Sequence, residues 1–372
     1  WNHLTTKDFV TYEDRGPALF PDSDIDSSGA YSGSAFVRDG KIHYFYTGNV
    51  KRFDRDDYDY VLTGRDQNQI HMVTDNPDEL GEKQLAVGPC DYPDDIGTHV
   101  RDPKILEHDG VFYMVLGART KDDRGCVLVY TSLDLQSWQY ATRIELGEKF
   151  GFMWECPDLF ELDGELVLVC CPQGVPAEGW RYRNPHQCVW FRIEADWETP
   201  SFKIVEQGLP SMVDAGFDFY APQSFEDAAD RRLMIGWVGC PDATAENPTV
   251  GRGWQCALTV PRELSMRDGK LCQWPAHEIE KLRGEGLRVA AGELVEEPGC
   301  LFDAVVSCEG VKTFELEIRE GVFVRYADGM LTLDMSDEGF GRDQRSVELS
   351  ELRDLRVLSD TTLVEIFANG GE

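Results

Sequence analysis

The 372-residue sequence contains no apolar run approaching the roughly 18 to 20 residues needed to cross a bilayer, which excludes a membrane-spanning helix. Basic residues are scarce, because 36 Lys and Arg stand against 68 Asp and Glu and leave a formal net charge of −32. Affinity for nucleic acids and anionic lipids depends on lysine and arginine. We therefore expect neither a nucleic acid nor a membrane as a partner.

No Cys-x-x-Cys pair occurs among the eleven cysteines, and no Asn-x-Ser/Thr glycosylation acceptor has a permitted middle residue. An odd number of cysteines at scattered spacings, including the adjacent Cys170 and Cys171, favours reduced thiols over a disulfide framework or a zinc site. We therefore expect a cytoplasmic protein without a metal centre.

Amphipathic helical patterns are almost missing, whereas one β-rich plan recurs four times. Each copy has a short polar or proline-containing start, a β-rich run, a turn and a second β-rich run. The copies are YSGSAFVRDGKIHYFYTG (31–48), RDPKILEHDGVFYMVLGA (101–118), ECPDLFELDGELVLVCC (155–171) and YAPQSFEDAADRRLMIGW (220–237). Asp-Gly pairs at 39–40, 109–110 and 163–164 predict type I′ hairpins in the first three copies, and the fourth has a longer turn at 227–231.

A second element also recurs, because TTKDFVTYED (5–14) resembles TSLDLQSWQY (131–140), with Asp8 aligned to Asp134. Repeated hairpins with so little helix are typical of a β-propeller, whose four-stranded blades surround an axis. The first residues of the four repeats should then converge on one pocket: Tyr31 and Ser32, Arg101 and Asp102, Glu155 and Cys156, and residues 218–220. Two carboxylates and an arginine in one pocket suit acid–base chemistry on a polar ligand.

After the fourth repeat the pattern changes. Residues 275–287 predict a short helical or irregular connector, and period-2 alternation at 313–336 and 361–372 predicts a β-sandwich. We therefore predict a propeller over 1–277 with an incomplete first blade, a connector over 278–298, and a sandwich over 299–372 that is incomplete at its C-terminus.

Six segments in order, YSGSA, RDPK, WECPDLF, DFYAPQ, IGWVG and VEIFANGGE, resemble glycoside hydrolase family 32, the β-fructofuranosidases. The resemblance covers essentially the whole chain and is nearest to the bacterial invertase and sucrose-6-phosphate hydrolase branch. It implies an all-β fold, a five-bladed β-propeller followed by a C-terminal β-sandwich. It also implies hydrolysis of terminal β-fructofuranosides with retention of configuration, without a metal or an organic cofactor.

The resemblance also implies roles for individual residues. Asp102 of the RDP motif would stabilise the transition state, and Arg101 would orient it and bind sugar hydroxyls. Glu155 of the EC motif would be the general acid/base, with Trp154 as an apolar wall beside it. Cys156 would be a packed neighbour rather than a nucleophile, because no histidine base follows it in the repeat.

Four further residues would line the substrate pocket. The resemblance implies that Tyr31 and Ser32 line the fructose subsite, and that Tyr220 and Trp237 shape the pocket. The partner is then a small sugar, namely sucrose, sucrose 6-phosphate or a short fructan. The stretch NVKRFDR (49–55) offers Lys51, Arg52 and Arg55 as candidates for holding a phosphate.

The family's nucleophile motif, similar to WMNDPNG, is not in this sequence. The nearest string, DNPDEL (75–80), has the wrong order and is interpreted as a turn. Asp102 precedes Asp134 by 32 residues, and the same offset from Asp8 falls before Trp1. We therefore expect the nucleophile upstream of Trp1, and little or no turnover by these 372 residues alone.

Three alternatives stay open at this point. One is a fructan exo-hydrolase of the same family, acting on inulin or levan. Another is a related inverting five-bladed arabinanase or xylosidase, with its carboxyl groups about 6.5 to 9.5 Å apart. The third is a non-catalytic sugar-binding propeller.

Overall fold

The computed structural model describes residues 1–205, 208–293, 299–337 and 339–372. Its regular structure is almost all β-strand, and the helices in these ranges are three short 3₁₀ helices, Pro89–Asp91, Pro248–Arg252 and His277–Leu282. The all-β class is therefore confirmed. Over the same ranges, no helix has both the length and the apolar composition that a membrane span requires.

The chain divides into two compact units, each described here by itself. The first comprises Trp1–Thr5, Tyr12–Pro176 and His186–Val213, and the second comprises Thr6–Thr11, Ala177–Pro185 and Asp214–Glu372. The predicted boundaries at 277 and 298 stay a prediction, and the last five residues of the predicted connector, 294–298, lie outside the described residues.

The first unit is built from antiparallel sheets whose strands follow one another along the chain. A two-stranded sheet pairs β1 (Asn2–Thr6) with β2 (Tyr12–Pro17). The next sheet has the strands β3 (Ala30–Arg38), β4 (Lys41–Lys51), β5 (Arg65–Thr74) and β6 (Gln84–Val87). It is followed by a sheet of β7 (Ile96–His108), β8 (Val111–Thr120), β9 (Gly125–Ser132) and β10 (Gln139–Ile144). The last sheet has β11 (Met153–Leu162), β12 (Glu165–Gln173), β13 (Val189–Asp196) and β14 (Ser201–Ile204), with β15 (Ser211–Met212) paired to β13.

The hairpins within these sheets turn where the Asp-Gly pairs predict. The backbone φ angles are 51° and 73° at Asp39 and Gly40, and 47° and 76° at the pair 109–110. The pair 163–164 has angles of 51° and 83°. Two consecutive positive φ angles define the type I′ turn, whose twist matches that of the flanking strands. This prediction is confirmed.

The second recurring element is also a structural repeat. Oδ1 of Asp134 accepts the backbone N–H groups two and three positions further on, at 2.9 and 2.8 Å. Oδ1 of Asp8 accepts the equivalent N–H groups at 3.1 and 2.9 Å. The residues after them, Phe9 and Leu135, have φ angles of 54° and 63°. An aspartate that bonds its own following backbone in this way closes a local turn.

The central strands of the first unit are buried on both faces. Seven consecutive residues of β8, 112–118, are buried, as are the first six of β9. Their side chains pack with residues of the preceding sheet in one core that includes Phe45, Met114, Leu128 and Tyr130. Such continuous burial is expected of strands whose sheet is covered on both sides.

The second unit contains a further sheet of this kind and two sheets of a sandwich. The first of them has β16 (Tyr220–Glu226), β17 (Arg232–Val238), β19 (Arg262–Arg267) and β20 (Lys270–Pro275), with β18 (Ala257–Leu258) paired to β17. The sandwich consists of one sheet of β21 (Phe302–Ser307), β26 (Asp354–Ser359) and β27 (Val364–Ala368), and another of β22 (Phe314–Arg319), β23 (Val322–Ala327), β24 (Met330–Asp334) and β25 (Gln344–Glu348). The two sandwich sheets share a core that includes Val324, Leu331, Leu355 and Val357, as the period-2 pattern predicts.

Candidate active site

Two strands of the first unit, β7 and β11, carry the candidate catalytic residues on matching bulges. The pairing of β7 with β8 shifts register between Arg101 and Lys104, and that of β11 with β12 shifts between Glu155 and Asp158. Within the bulges, Asp102 and Cys156 have φ angles of 64° and 49°. A bulge re-aims the side chains around it, and a left-handed backbone at a non-glycine residue is a strain found at functional sites.

The two bulges are joined by an ion pair. Arg101 donates from Nε and Nη2 to Oε1 of Glu155, at 2.9 and 2.6 Å. On the other side, Nε2 of Gln173 donates to Oε2 of Glu155 at 2.8 Å. Both carboxyl oxygens of Glu155 therefore have a defined orientation, which a side chain that transfers a proton at one atom requires.

Arg101 is itself oriented by a buried histidine. Nε2 of His99 lies 3.0 Å from the carbonyl oxygen of Tyr60, so it carries the proton, and Nδ1 accepts an N–H from Arg101 at 3.1 Å. Burial, followed by the charges of Arg101 and Arg65, lowers the pKa of His99 to about 3. The imidazole is therefore neutral and serves as an acceptor for the guanidinium.

Asp102 is held from the opposite direction. The backbone N–H of Cys156 donates to Oδ2 of Asp102 at 2.9 Å, and the backbone N–H of Asp102 donates to Oγ1 of Thr47 at 3.0 Å. Only 6% of Asp102 is exposed. Burial raises the pKa of this carboxyl, and the charge of Glu155 acts in the same direction against the opposing effect of Arg101.

The two side chains next to Glu155 are buried. A hydrogen bond with Cys171 and burial raise the pKa of the Cys156 thiol, which therefore stays protonated and is no nucleophile. Trp154 is fully buried, stacks on Phe191 with 5.4 Å between ring centroids, and donates to the carbonyl oxygen of Phe150 at 2.8 Å. The expectation that Trp154 walls the acid is corrected, because successive residues of a strand point to opposite faces.

Tyr31 and Ser32 lie on β3, where the pairing with β4 shifts register between Ala30 and Gly33. Tyr31 is half-buried and Ser32 is exposed. Strand β3 lies against β7, since Oγ of Ser34 donates to the carbonyl oxygen of Pro103 at 2.7 Å. Both residues therefore stay candidates for a sugar subsite next to the β7 bulge.

Tyr220 and Trp237 belong to the second unit. They are direct partners across β16 and β17, and the pairing shifts register between Tyr220 and Gln223. Tyr220 is 2% exposed, and Ala221, which follows it, has a φ angle of 47°. Their predicted role in shaping the pocket stays a prediction.

Within the described residues, no group of three or more His, Cys, Asp or Glu side chains is placed to hold a metal ion. The polar groups of the candidate site are a guanidinium, an amide and two carboxyl groups. These groups can bind hydroxyls, hold a proton beside a leaving oxygen and stabilise a developing positive charge.

Residues 1–275 match the model of the glycosyl hydrolases family 32 N-terminal domain. The chain belongs to glycoside hydrolase family 32. It is 34% identical over 388 residues to a sucrose-6-phosphate hydrolase of Bacillus subtilis and 35% identical over 388 residues to one of Salmonella typhimurium. Each alignment covers 100% of this chain and 78% of the relative.

Solved structures agree with this membership. The structure of sucrose-6-phosphate hydrolase from Lactobacillus gasseri matches with a TM-score of 0.88 at 28% identity, covering 100% of this chain and 78% of the other. A Bombyx mori family 32 β-fructofuranosidase, solved as a mutant in complex with sucrose, matches with a TM-score of 0.80 at 25% identity and the same coverage. The chain is therefore a glycoside hydrolase of the propeller-and-sandwich class, which favours the β-fructofuranosidase interpretation over an arabinanase, a xylosidase or a non-catalytic propeller.

Several residues that orient the candidate catalytic cluster of this family 32 member were not predicted from the sequence. They are His99, Gln67, Thr47, Gln69 and Gln173. The sequence did contain a signal, namely three consecutive amide side chains at 67–69. The structure places them on β5, where they are almost fully buried. Buried amides inside a strand are costly unless they are hydrogen-bonded, so they indicate a polar network.

Proposed function

We propose that this site releases terminal β-D-fructofuranosyl units from sucrose or sucrose 6-phosphate, with retention of configuration. One observation carries the proposal. Arg101, next to Asp102, binds the carboxylate of Glu155, while Cys156, next to Glu155, binds the carboxylate of Asp102. Two bulges 54 residues apart in sequence thus hold each other's carboxylates in a single cluster.

The two carboxyl groups have different surroundings and suit different roles. Glu155 would protonate the leaving oxygen in the first step and, as the carboxylate that Arg101 and Gln173 bind, activate water in the second. Asp102 would bind fructose hydroxyls and stabilise the positive charge that grows on the sugar ring. Its enclosure strengthens that electrostatic interaction, because little solvent screens it.

Retention requires a nucleophile that forms a covalent glycosyl-enzyme, with its carboxyl about 5 to 5.5 Å from the acid. In this proposal a third carboxylate has that role. The substrate assignment is supported by the relatives, which are sucrose-6-phosphate hydrolases, and by the sucrose complex of the Bombyx mori enzyme. Short fructans are secondary substrates in the proposal.

The test uses the full-length protein with Glu155→Gln and Asp102→Asn. We expect kcat for sucrose and for sucrose 6-phosphate to fall by about 10²- to 10⁴-fold in either variant. Glu161→Gln is the matched control, because Glu161 lies on the same strand with its side chain 58% exposed. An NMR time course should show the β anomer of fructose first.

Two results would overturn the proposal. One is a Glu155→Gln enzyme that keeps more than a tenth of wild-type kcat. The other is release of the α anomer, which would mean inversion. Measuring kcat for inulin-type oligosaccharides in the same assay shows how fructans rank as substrates relative to sucrose.

A cytoplasmic location is part of the same proposal. All eleven cysteines lie within the described residues and are free thiols. Free thiols in this number are typical of a reducing compartment. Fractionation of the producing cells with an antibody against the protein tests this, and activity confined to the medium would contradict it.

A further inference from the structure

Arg65 differs from the other buried arginines of the described residues. Arg101 is paired with Glu155, and the other two, Arg262 and Arg356, also bind carboxylates. Arg65 is 8% exposed, has no carboxylate within salt-bridge distance among the described residues, and its Nε has no hydrogen-bond partner there. Because burying a charge without a partner is costly, a guanidinium in this state is suited to bind an anion that comes from solution.

The position of Arg65 relates it to the candidate active site. Its guanidinium carbon lies 4.4 Å from the centre of the Tyr60 ring, and that ring lies 4.9 Å from the ring of His99. His99 in turn contacts Arg101, which binds Glu155. A short series of contacts thus leads from Glu155 to Arg65.

The contacts from Glu155 to Arg65 lead toward the side of the site where the leaving group would bind. A general acid protonates the oxygen that departs, so the aglycone lies on the side of Glu155 rather than on that of the stabilising carboxylate. The loop of residues 52–64 packs on the start of β7 here, since Val61 accepts the backbone N–H of Thr98 at 2.9 Å. A group several atoms away from the glycosidic oxygen would reach toward this loop.

Three acidic residues close to Arg65 in the chain make contacts with other groups. Asp66 binds Arg52 at 2.7 Å, and Asp57 binds Arg55 at 2.8 and 2.9 Å. Asp59 accepts the backbone N–H groups of residues 61 and 62, both at 2.8 Å. None of these carboxylates pairs with Arg65, whose guanidinium is therefore without a carboxylate partner among the described residues.

The same contacts bear on the three residues that the sequence offers as phosphate ligands. Arg52 and Arg55 are already bound by carboxylates of their own loop, and Lys51 lies on the surface with its ammonium 5.8 Å from the centre of the Phe53 ring. An arginine that is already in an ion pair must lose its carboxylate partner before it can bind a phosphate. The three residues expected from the sequence are therefore weaker candidates than Arg65.

We propose that Arg65 binds the phosphate of a phosphorylated aglycone and so gives the enzyme its preference for sucrose 6-phosphate over sucrose. The inference rests on the proposed function, because it concerns the leaving-group side of that same site. A planar guanidinium offers two parallel N–H donors to phosphate oxygens, and such charge-assisted bonds are among the strong ones.

The test compares kcat/KM for sucrose 6-phosphate with kcat/KM for sucrose in the full-length wild type, Arg65→Gln and Arg65→Lys. We expect the ratio to fall by about tenfold to a hundredfold in Arg65→Gln. Arg65→Lys should recover part of the ratio, because it keeps the charge but not the fork. Arg38→Gln, which removes an exposed arginine beside the hairpin turn at 39–40, is the control and should keep the wild-type ratio.

A second measurement needs no variant. Glucose 6-phosphate and glucose are compared as inhibitors of sucrose hydrolysis by the wild type, at low and at high salt. We expect glucose 6-phosphate to inhibit more strongly and its advantage to shrink with salt, because a charged contact is screened. Equal inhibition by the two sugars overturns the role of Arg65, even if Arg65→Gln does not fold.

The possible results distinguish a failure of the phosphate site from a failure of the proposed hydrolase function. A wild type that hydrolyses both sugars, with an unchanged ratio in Arg65→Gln, overturns the anion site and leaves the hydrolase standing. A full-length wild type that hydrolyses neither sugar overturns the proposed function itself.

Discussion

Asp102 shows how a single residue can lower the stability of the fold while serving the site. The group is almost fully enclosed, and burial raises its pKa above the ordinary value of 3.8. The folded protein therefore binds this proton more tightly than the unfolded chain does. Its contribution to stability is present at low pH and is lost as the pH rises through the raised pKa.

Asp102→Asn should therefore stabilise the protein at neutral pH while it lowers kcat. The asparagine removes the buried charge but keeps an oxygen that can accept the N–H of Cys156. We expect a gain of about 1 kcal/mol at pH 7.5, which shrinks as the pH falls towards 4. Thermal unfolding of both proteins at the two pH values measures it. A variant that unfolds at a lower temperature than the wild type at pH 7.5 would contradict the assignment of Asp102 as a buried charge.

Among the structural elements, β7, β11 and β16 contain the same irregularity. In each, a residue with a left-handed backbone follows the last regularly paired residue and precedes a proline, as in Arg-Asp-Pro, Glu-Cys-Pro and Tyr-Ala-Pro. The register shifts at this point in all three strands. Proline cannot donate to the ladder, so it tolerates the break and helps to keep the bulge in place.

Ala221 allows the strain of this bulge to be tested without touching the proposed catalytic groups. A β-branched residue suits its φ of 47° poorly, so Ala221→Val should lose about 1 to 2 kcal/mol. Ala221→Gly should be as stable as the wild type or better, because glycine adopts positive φ freely. Ala327→Val, at an exposed position of a regular strand, is the control, with a change within about 0.5 kcal/mol. Urea denaturation measures all three, and equal losses for the Val and Gly variants at 221 would disprove the strain argument.

For the protein as an assembly of sheets, a buried ion network in the second unit connects β19 to the sandwich. Arg262 donates from Nη2 to Glu365 at 2.7 Å and from Nη1 to Asp214 at 2.8 Å. Glu365 also accepts the backbone N–H of Val260 at 2.8 Å. Arg262 and Glu365 are each 5% exposed, so neither charge has water to replace its partner. Sheets assigned by sequence to two different domains are thus held by one set of polar contacts.

Glu365→Gln should be strongly destabilising for this reason. The amide can accept fewer bonds, and the buried arginine keeps only the partly exposed Asp214 as a counter-charge, so we expect a loss of about 3 kcal/mol. Glu315→Gln is the control, since its bond to Arg325 is on the surface with the Glu315 side chain 62% exposed. We expect the control to change stability by about 1 kcal/mol or less. Chemical denaturation measures the free energy of unfolding of both variants. Similar losses of stability in the two would show that burial does not determine the cost of breaking the ion pair.

Much of this architecture follows from short-range patterns in the chain. The Asp-Gly turns, the aspartate-closed turns after Asp8 and Asp134, and the alternation of the sandwich strands all involve residues within a few positions of one another. Their hydrogen bonds and φ angles depend on local chemistry. The sequence therefore predicts the repeat, the all-β class and the two motifs that carry Asp102 and Glu155.

The contacts that give those motifs their chemistry depend on strand register and on long-range packing. Whether Trp154 faces the site or the core depends on the face to which each residue of β11 points. The neutral state of His99 depends on how the loop of residues 52–64 packs on β7, and so does the lack of any described carboxylate within salt-bridge distance of Arg65. Side chains that are tens of residues apart in the chain meet only when the sheets are assembled, because no local interaction specifies which strands become neighbours.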